Sequence, residues 1–342
     1  MLYVTTRNNR DAYTAQRVLR EDRGPDGGLY VPFRAPGFTR EEILSLGGKS
    51  FNQCVADVLN RLFNTRLTAW DVEFAAGRCP VRLSNLPQKT ILAECRHNPE
   101  GTFSATVRAL TDALRGGKPG TDGGWGKVAV GIAVLFGIFG ELIRDGIADF
   151  ENTVDISLVS GDFDLPMSAW YAREWGLPIG SVVCCCNENG NLWELLHHGQ
   201  LRTDAVSVKT DTPDADVTVP PGLERLIFAC GGIREVEHYL EVCRRGGVYC
   251  PSDVLLSRLR EGMEVSVVGA RRTETTVSTL FHSCGCVLSP YSALAWAGVQ
   301  DFRTMTGVSR HALVLEEKSP ALDSEAVAGA LGVSADALNR YL

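Results

Sequence analysis

Two apolar strands separated by one helix constrain the fold of this chain more than any other feature. The strand-like runs "VDISLVS" (154–160) and "GSVVCCC" (180–186) flank the helical segment "LPMSAWYAREWG" (165–176). This spacing is typical of a βαβ unit with parallel strands. Further strands are predicted at "TILAE" (90–94) and "HALVLEE" (311–317). We therefore predict a three-layer α/β fold around a mostly parallel sheet.

The chain is long enough to bury a large core. It has 342 residues, of which 44% are hydrophobic and 22% charged, a globular composition. Amphipathic patterns such as "FNQCVADVLNRLF" (51–63) predict a mainly helical N-terminal segment over residues 1–88. Residues 89–342 are predicted to form the main α/β domain.

The net charge and the cysteines indicate which binding partners and which cellular compartment to expect. The net charge of −7, without a basic stripe, predicts that nucleic acid is not a partner. The N-terminus lacks an apolar signal core, so we expect a cytoplasmic protein with mostly reduced cysteines.

Consecutive Cys184, Cys185 and Cys186 alternate faces of a strand and do not suit one metal. His282, Cys284 and Cys286 are a better metal candidate, although the usual cysteine pairs are absent and no metal is predicted.

Two segments resemble functional elements that we do not predict. The apolar run Val128–Gly140 has 13 residues, fewer than a membrane span needs, so it predicts a buried helix and no membrane contact. The stretch "GGKPGTDGGWG" (116–126) is glycine-rich but lacks P-loop spacing and follows a predicted helix. It predicts a flexible connector.

Several fragments, in order along the chain, resemble one enzyme family. They are "PDGGLYVP" (25–32), "LVSGDFDLPMSAWYAREWGLPI" (158–179), "CNENGNLWELLHHGQL" (186–201), "DTPDADVTVPPGLERLIF" (211–228) and "SPYSALAWAG" (289–298). Together they resemble the threonine synthases. The resemblance implies the fold of type II pyridoxal phosphate enzymes, also called tryptophan-synthase-beta-like, and conversion of O-phosphohomoserine to threonine.

The resemblance also exposes departures from the family pattern. The family's cofactor lysine lies in a His-Gly-Pro-Thr-x-x-Phe-Lys-Asp stretch, against which "HNPEGTFSA" places Ser104 at the lysine and Ala105 at the aspartate. A serine hydroxyl cannot form an imine. Asp162 and Asp164 stand in the glycine-rich phosphate loop where the family has neutral residues. If both face a phosphate they repel it; alternatively Asp162 points to solvent and Asp164 caps the next helix.

Further departures concern the cofactor-binding parts of the fold. Tyr291 and Ser292 replace the histidine and threonine of the last motif. No segment resembles the family's small cofactor domain, and connector 116–126 is predicted to replace it. Loss of the small domain would expose apolar surface, so we expect a homodimer.

These observations predict a catalytically inactive relative with a binding, regulatory or structural role and no cofactor. Its remnant cleft, which would accept a small anionic or amino-acid ligand, is predicted from residues His97, Phe103, Ser104, Gly161, Asp162, Phe163, Asp164, Asn187, Glu188, Asn189 and Ser292.

Two alternatives remain open. The first is an active threonine synthase or related lyase that uses pyridoxal phosphate with another amine near Ser104; Lys89 and Lys118 flank the region, but Lys118 lies in the connector. The second is new chemistry on the old scaffold, for example a Ser104–His97 pair or a metal site. No orienting acid for such a pair is evident.

Overall fold

The computed structural model describes residues 1–78, 80–119 and 123–342. The strands of this part are β1 Leu2–Thr5, β2 Tyr13–Thr14, β3 Tyr30–Pro32, β4 Arg82–Leu86, β5 Thr90–Glu94, β6 Val154–Val159, β7 Ile179–Cys186, β8 Leu201–Arg202, β9 Val248–Tyr249, β10 Met263–Val267 and β11 Ala312–Glu316. The helices are α1 Ala15–Val18, α2 Arg40–Ser45, α3 Phe51–Phe63, α4 Ala69–Ala76, α5 Phe103–Leu114, α6 Gly124–Arg144, α7 Asp164–Glu174, α8 Asn191–His198, α9 Leu223–Gly231, α10 Ile233–Arg245, α11 Asp253–Arg260, α12 Ala270–Cys284, α13 Pro290–Thr306, α14 Ser324–Leu331 and α15 Ala335–Leu338.

The central sheet has six strands in the order β10-β7-β6-β11-β5-β4. All neighbours are parallel except the edge strand β4, which pairs antiparallel with β5. The predicted mostly parallel sheet is therefore confirmed. The antiparallel edge strand β4 lies before residue 89, the predicted start of the main domain.

Helices cover both faces of this sheet and complete three layers. Alternate residues of β7 show this directly, since Cys184 and Cys186 belong to the core cluster that contains α6, whereas Cys185 packs in the cluster that contains α13. The period of two in a strand sends neighbouring side chains to opposite faces. The prediction that the three cysteines alternate faces is thus confirmed.

The N-terminal segment is mainly helical, as predicted, and also contains a small sheet beside helices α1 to α4. Strands β1, β2 and β3 form a small antiparallel sheet in the order β2-β1-β3. Helix α3 begins after the N-cap Ser50 and ends at Asn64, which has a left-handed backbone. It packs against α6, so the amphipathic pattern correctly located its buried face.

Helix α6 is longer than its apolar core suggests. It spans 21 residues from Gly124 to Arg144, so the argument that it is too short for a membrane was wrong on length. By length and composition it matches a membrane span, but 83% of its most apolar window is buried inside the protein. The predicted buried helix is confirmed. Its start also shortens the connector predicted over 116–126, of which residues 120–122 lie outside the described residues.

The contact between α6 and α7 depends on a glycine. A Cβ added at Gly131 would lie 2.8 Å from Ser168 Cβ and 3.0 Å from Leu165 Cδ2. The Ser168 hydroxyl is fixed because it donates to the Val128 carbonyl at 3.0 Å. We expect Gly131→Ala to lower the free energy of unfolding by about 1–3 kcal/mol through overpacking. Urea unfolding followed by circular dichroism measures this change.

The matched control is Gly329→Ala in helix α14. A Cβ there has no atom within 4 Å, so it introduces no clash. Alanine is the better helix former, and we expect a gain of up to about 1 kcal/mol. Equal effects of the two substitutions would contradict the packing explanation.

Candidate functional site

A cavity of about 390 Å³ lies where the parallel strands end. The carboxyl edge of an open parallel sheet is the usual ligand site of α/β proteins. Strand β6 leads into Ser160, Gly161 and Asp162, and β11 leads into Glu317 and Lys318; all five residues line the cavity.

Helix N-termini form the opposite wall. Thr102 caps α5, accepting from the Ala105 N–H at 3.3 Å. Phe103 and Ser104 follow it into the cavity lining. Lys127, in the first turn of α6, and Asp214, in the 3-10 turn Pro213–Ala215, line the cavity as well.

Asp162 is the center of the polar wall. Its Oδ2 accepts from Lys127 Nζ at 2.6 Å, and its Oδ1 accepts from the backbone N–H of Asp164 at 3.0 Å. The second contact places a carboxylate on the first amide of α7. A helix N-terminus with a free N–H is a natural anion site, and here the chain's own carboxylate fills it.

Asp164 points elsewhere. Its carboxylate lies 2.5 Å from Arg225 Nη1, and both side chains are buried. Burial raises the pKa of this carboxyl, and Arg225 opposes the rise. The expectation that Asp164 caps α7 was wrong. Phe163 is the cap residue, with a left-handed φ of 74°, and Asp164 is the first helical residue.

Both lysines of the cavity are held as ammonium groups. Burial lowers the pKa of Lys127, but Asp162, Glu317 and Asp164 together outweigh it and leave the pKa above its ordinary value. Lys318 forms an ion pair with Asp214 and lies 4.8 Å from the center of the Tyr291 ring. Burial also lowers the pKa of Lys318, and Asp214 reverses that effect. A protonated amine is a poor nucleophile.

Glu317 is the fifth ionisable group of the cavity. Burial raises the pKa of its carboxyl to about 7, with Lys127 lowering it and Asp162 and Asp214 raising it further. Its side chain makes no hydrogen bond or ion pair within the described part of the chain. This carboxyl therefore changes charge near neutral pH while facing the cavity.

Only some of the eleven residues predicted to form the cleft line the cavity. Phe103, Ser104, Gly161 and Asp162 line the cavity. Phe163 is buried behind it. His97 Nε2 lies 3.2 Å from Glu94, and Ser292 donates to Glu316 at 3.1 Å, so both belong to a neighbouring polar cluster.

The Asn187-Glu188-Asn189 segment supports a loop of the cavity wall. The two asparagine amides donate to Asp216 Oδ1, at 2.7 and 3.1 Å, and so fix the loop that carries Asp214. Glu188 accepts from the N–H of Ala270 at the start of α12. Asn187 and Glu188 line a different cavity of about 730 Å³.

The proposed Ser104–His97 pair does not form. His97 is bound to Glu94, and the structure gives no hydrogen bond between His97 and Ser104. Among the described residues, no three His, Cys, Asp or Glu side chains come together to hold a metal. His282 instead bonds the Ser278 carbonyl one turn earlier at 2.7 Å.

Sequence reasoning missed Lys127, Asp214, Glu317 and Lys318. Lys127 directly follows the predicted connector and was given no role. Glu317 is the last residue of a predicted strand and Lys318 follows it, at the strand end from which α/β proteins draw ligand-binding side chains. That rule would have found both.

Comparisons with known proteins find similarity in both sequence and fold. Residues 2–77 match the family model "Threonine synthase N terminus". Threonine synthase-like 1 from Macaca fascicularis is 22% identical over 178 residues, covering 50% of this chain and 23% of that protein. Threonine synthase from Pseudomonas aeruginosa is 24% identical over 159 residues, covering 46% of this chain and 34% of that protein.

The chain is similar to the threonine synthases in part of its sequence and in its fold. Pyridoxal phosphate-bound threonine synthase from Brucella melitensis superimposes with a TM-score of 0.84 at 18% identity, covering 97% of this chain and 92% of that one. Threonine synthase from yeast gives a TM-score of 0.83 at 15% identity, covering 97% and 90%. The threonine synthase-like fold is therefore established. The matched sequence spans only a quarter to a third of the curated relatives' length.

Proposed function

We propose that this threonine synthase-like protein does not convert O-phosphohomoserine to threonine and uses its cleft for binding alone. The observation that carries the proposal is the chemistry of the cavity wall. Ser104 lies at the position that the family resemblance assigns to the cofactor lysine, and no imine can form there.

The residues present do not fit pyridoxal phosphate. The first amide of α7 already binds Asp162, and Lys127 neutralises that carboxylate rather than a ligand phosphate. A cofactor phosphate placed there would have to displace Asp162 or lie beside it. Two unit charges of the same sign about 4 Å apart repel by roughly 4 kcal/mol near a protein surface.

The alternative is an active enzyme with a relocated amine. One observation favours it, because Lys127 and Lys318 line the same cavity as Ser104. Neither Lys89 nor Lys118 is in that lining. Against it stands the ionisation of both amines, since each is paired with a carboxylate and has a raised pKa.

Titration with pyridoxal phosphate separates the two proposals. We expect the spectrum of the free aldehyde alone, no lysine adduct after borohydride reduction and peptide mapping, and no phosphate release from O-phosphohomoserine. An imine band that Lys127→Met or Lys318→Met removes, together with phosphate release from O-phosphohomoserine that the same variant abolishes, would establish the alternative. Ser104→Lys is the positive control for adduct detection, because it restores an amine at the family position.

A further inference from the structure

The cavity has one carboxyl more than it has cations. Lys127 is paired with Asp162, at 2.6 Å, and Lys318 with Asp214. Both ammonium groups are thus neutralised by partners in the same wall. Glu317 remains, and its side chain has no ion-pair or hydrogen-bond partner in residues 1–78, 80–119 and 123–342. When Glu317 is ionised, these five groups carry one net negative charge.

A second acceptor lies in the same wall. Ser160 is 1% exposed, and its hydroxyl has no hydrogen-bond partner in the described structure beyond a weak interaction with the Cys186 thiol. A buried polar group without a partner is unfavourable, so a donor that enters the cavity gains from meeting it. An ammonium group has three N–H donors.

Apart from Thr102 and Ser104, the rest of the lining is apolar. It is formed by the side chains of Phe103, Val159, Leu165, Pro166, Val217 and Leu315 together with the ring of Tyr291. The volume of about 390 Å³ is at the small end of the range for sites that hold small molecules. A ligand with a short hydrocarbon body matches this wall.

We infer that the cavity binds a small organic cation, a primary ammonium on a short apolar chain, with the Glu317 carboxylate as its counter-ion. The inference rests on the proposed function, because a bound pyridoxal phosphate would compete for the same space. It reverses the ligand charge implied by the family resemblance, since the helix N-terminus that would receive an anion is closed by Asp162.

Binding should strengthen as the pH rises through neutrality. Glu317 is faced by Lys127, Asp162, Asp214, Lys318, the Tyr291 hydroxyl and the Cys95 thiol, and the pKa of its carboxyl is about 7. Alkylammonium ions remain charged across this range. The ionised fraction of Glu317 rises about tenfold between pH 6 and pH 8, so the affinity should rise by about the same factor.

The test is a titration of the full chain with n-butylamine, without pyridoxal phosphate, by calorimetry and ligand-observed NMR. We expect saturable binding at pH 8, about tenfold weaker binding at pH 6, and a loss of at least about tenfold in Glu317→Gln. Glu325→Gln, which removes an exposed carboxyl outside this cavity, should bind as the natural chain does. Thermal unfolding verifies that each variant is folded.

Sodium butyrate and inorganic phosphate are the matched anionic probes. Tighter binding of either anion than of butylamine overturns the inference, as does equal butylamine affinity in the natural chain and folded Glu317→Gln. The two proposals fail separately. An imine with pyridoxal phosphate overturns the proposed function even if butylamine binds through Glu317, whereas absence of both ligands overturns only the cation site.

Discussion

Arg225→Ala is expected to lower the free energy of unfolding by about 3–5 kcal/mol. Arg225 is 1% exposed at its side chain and lies 2.5 Å from the Asp164 carboxylate. Its Nε also donates to the Tyr30 carbonyl at 3.3 Å, which ties strand β3 of the N-terminal sheet to helices α7 and α9. Removing the guanidinium leaves a buried carboxylate without its counter-ion. Denaturant unfolding at pH 7.5 measures the loss.

Glu224, the residue before Arg225, also contacts the N-terminal segment. Glu224 accepts from Arg7 Nε at 3.0 Å and Nη2 at 2.8 Å, and from the Thr6 hydroxyl. The Glu-Arg pair of the segment "GLERLIF" therefore joins the N-terminal segment to the main domain through one ion pair, between Glu224 and Arg7, and one hydrogen bond, from Arg225 to the Tyr30 carbonyl.

Two further variants identify the cause of the Arg225 effect. Arg245→Ala removes an exposed arginine from an i,i+4 pair with Glu241, and we expect a change of at most about 0.5 kcal/mol. The double variant Asp164→Leu, Arg225→Met replaces both buried charges with apolar groups of similar size. It should recover most of the stability, because no lone charge remains. A loss for Arg225→Ala no larger than that for Arg245→Ala would show that the buried pair contributes little.

Local sequence patterns predicted the elements well where short-range interactions decide them. Helix α3 has its Ser50 cap and its buried face within one continuous segment, and α5 follows Thr102 in the same way. Strands β5, β6, β7 and β11 are apolar runs with nearby turns. Such features depend on residues within a few positions of each other.

The cavity was harder to predict because its polar wall is assembled from distant parts of the chain. Lys127 meets Asp162 across 35 positions, and Lys318 meets Asp214 across 104. The expected Asp164 cap failed for a related reason. Arg225, 61 positions away, binds that carboxylate in the interior, and Asp162 then takes the helix N-terminus. No local pattern contains these pairings.

Glu317 and its neighbour Glu316 provide the second large stability effect. Both carboxyls have a pKa raised to about 7, and in both cases burial is the largest cause. Their surroundings differ. Glu316 lies 2.5 Å from Arg96 Nε and accepts from the Ser292 hydroxyl, whereas Glu317 has no such partner in the described residues.

Glu317→Gln should therefore stabilise the protein at alkaline pH. The ordinary glutamate pKa is 4.5, so between that value and about 7 the folded state holds a proton that the unfolded state has lost. Stability then falls as the pH rises through this window, and above it the loss reaches about 3–3.5 kcal/mol. Glutamine does not titrate. We expect equal stabilities at pH 4 and a gain of that size for the variant at pH 8.5, measured by urea unfolding.

Glu316→Gln is the matched control, since it makes the same chemical change one residue earlier. The pKa of about 7 for Glu316 already includes its pair with Arg96, so the same pH dependence predicts a gain at pH 8.5 for this variant as well. Arg96 keeps Glu94 as a partner, at 3.1 Å, when the Glu316 carboxylate is removed. Similar gains in the two variants would show that burial governs both carboxyls. A loss in Glu316→Gln would show that its pair with Arg96 outweighs burial, and no gain in Glu317→Gln would contradict the raised pKa of Glu317.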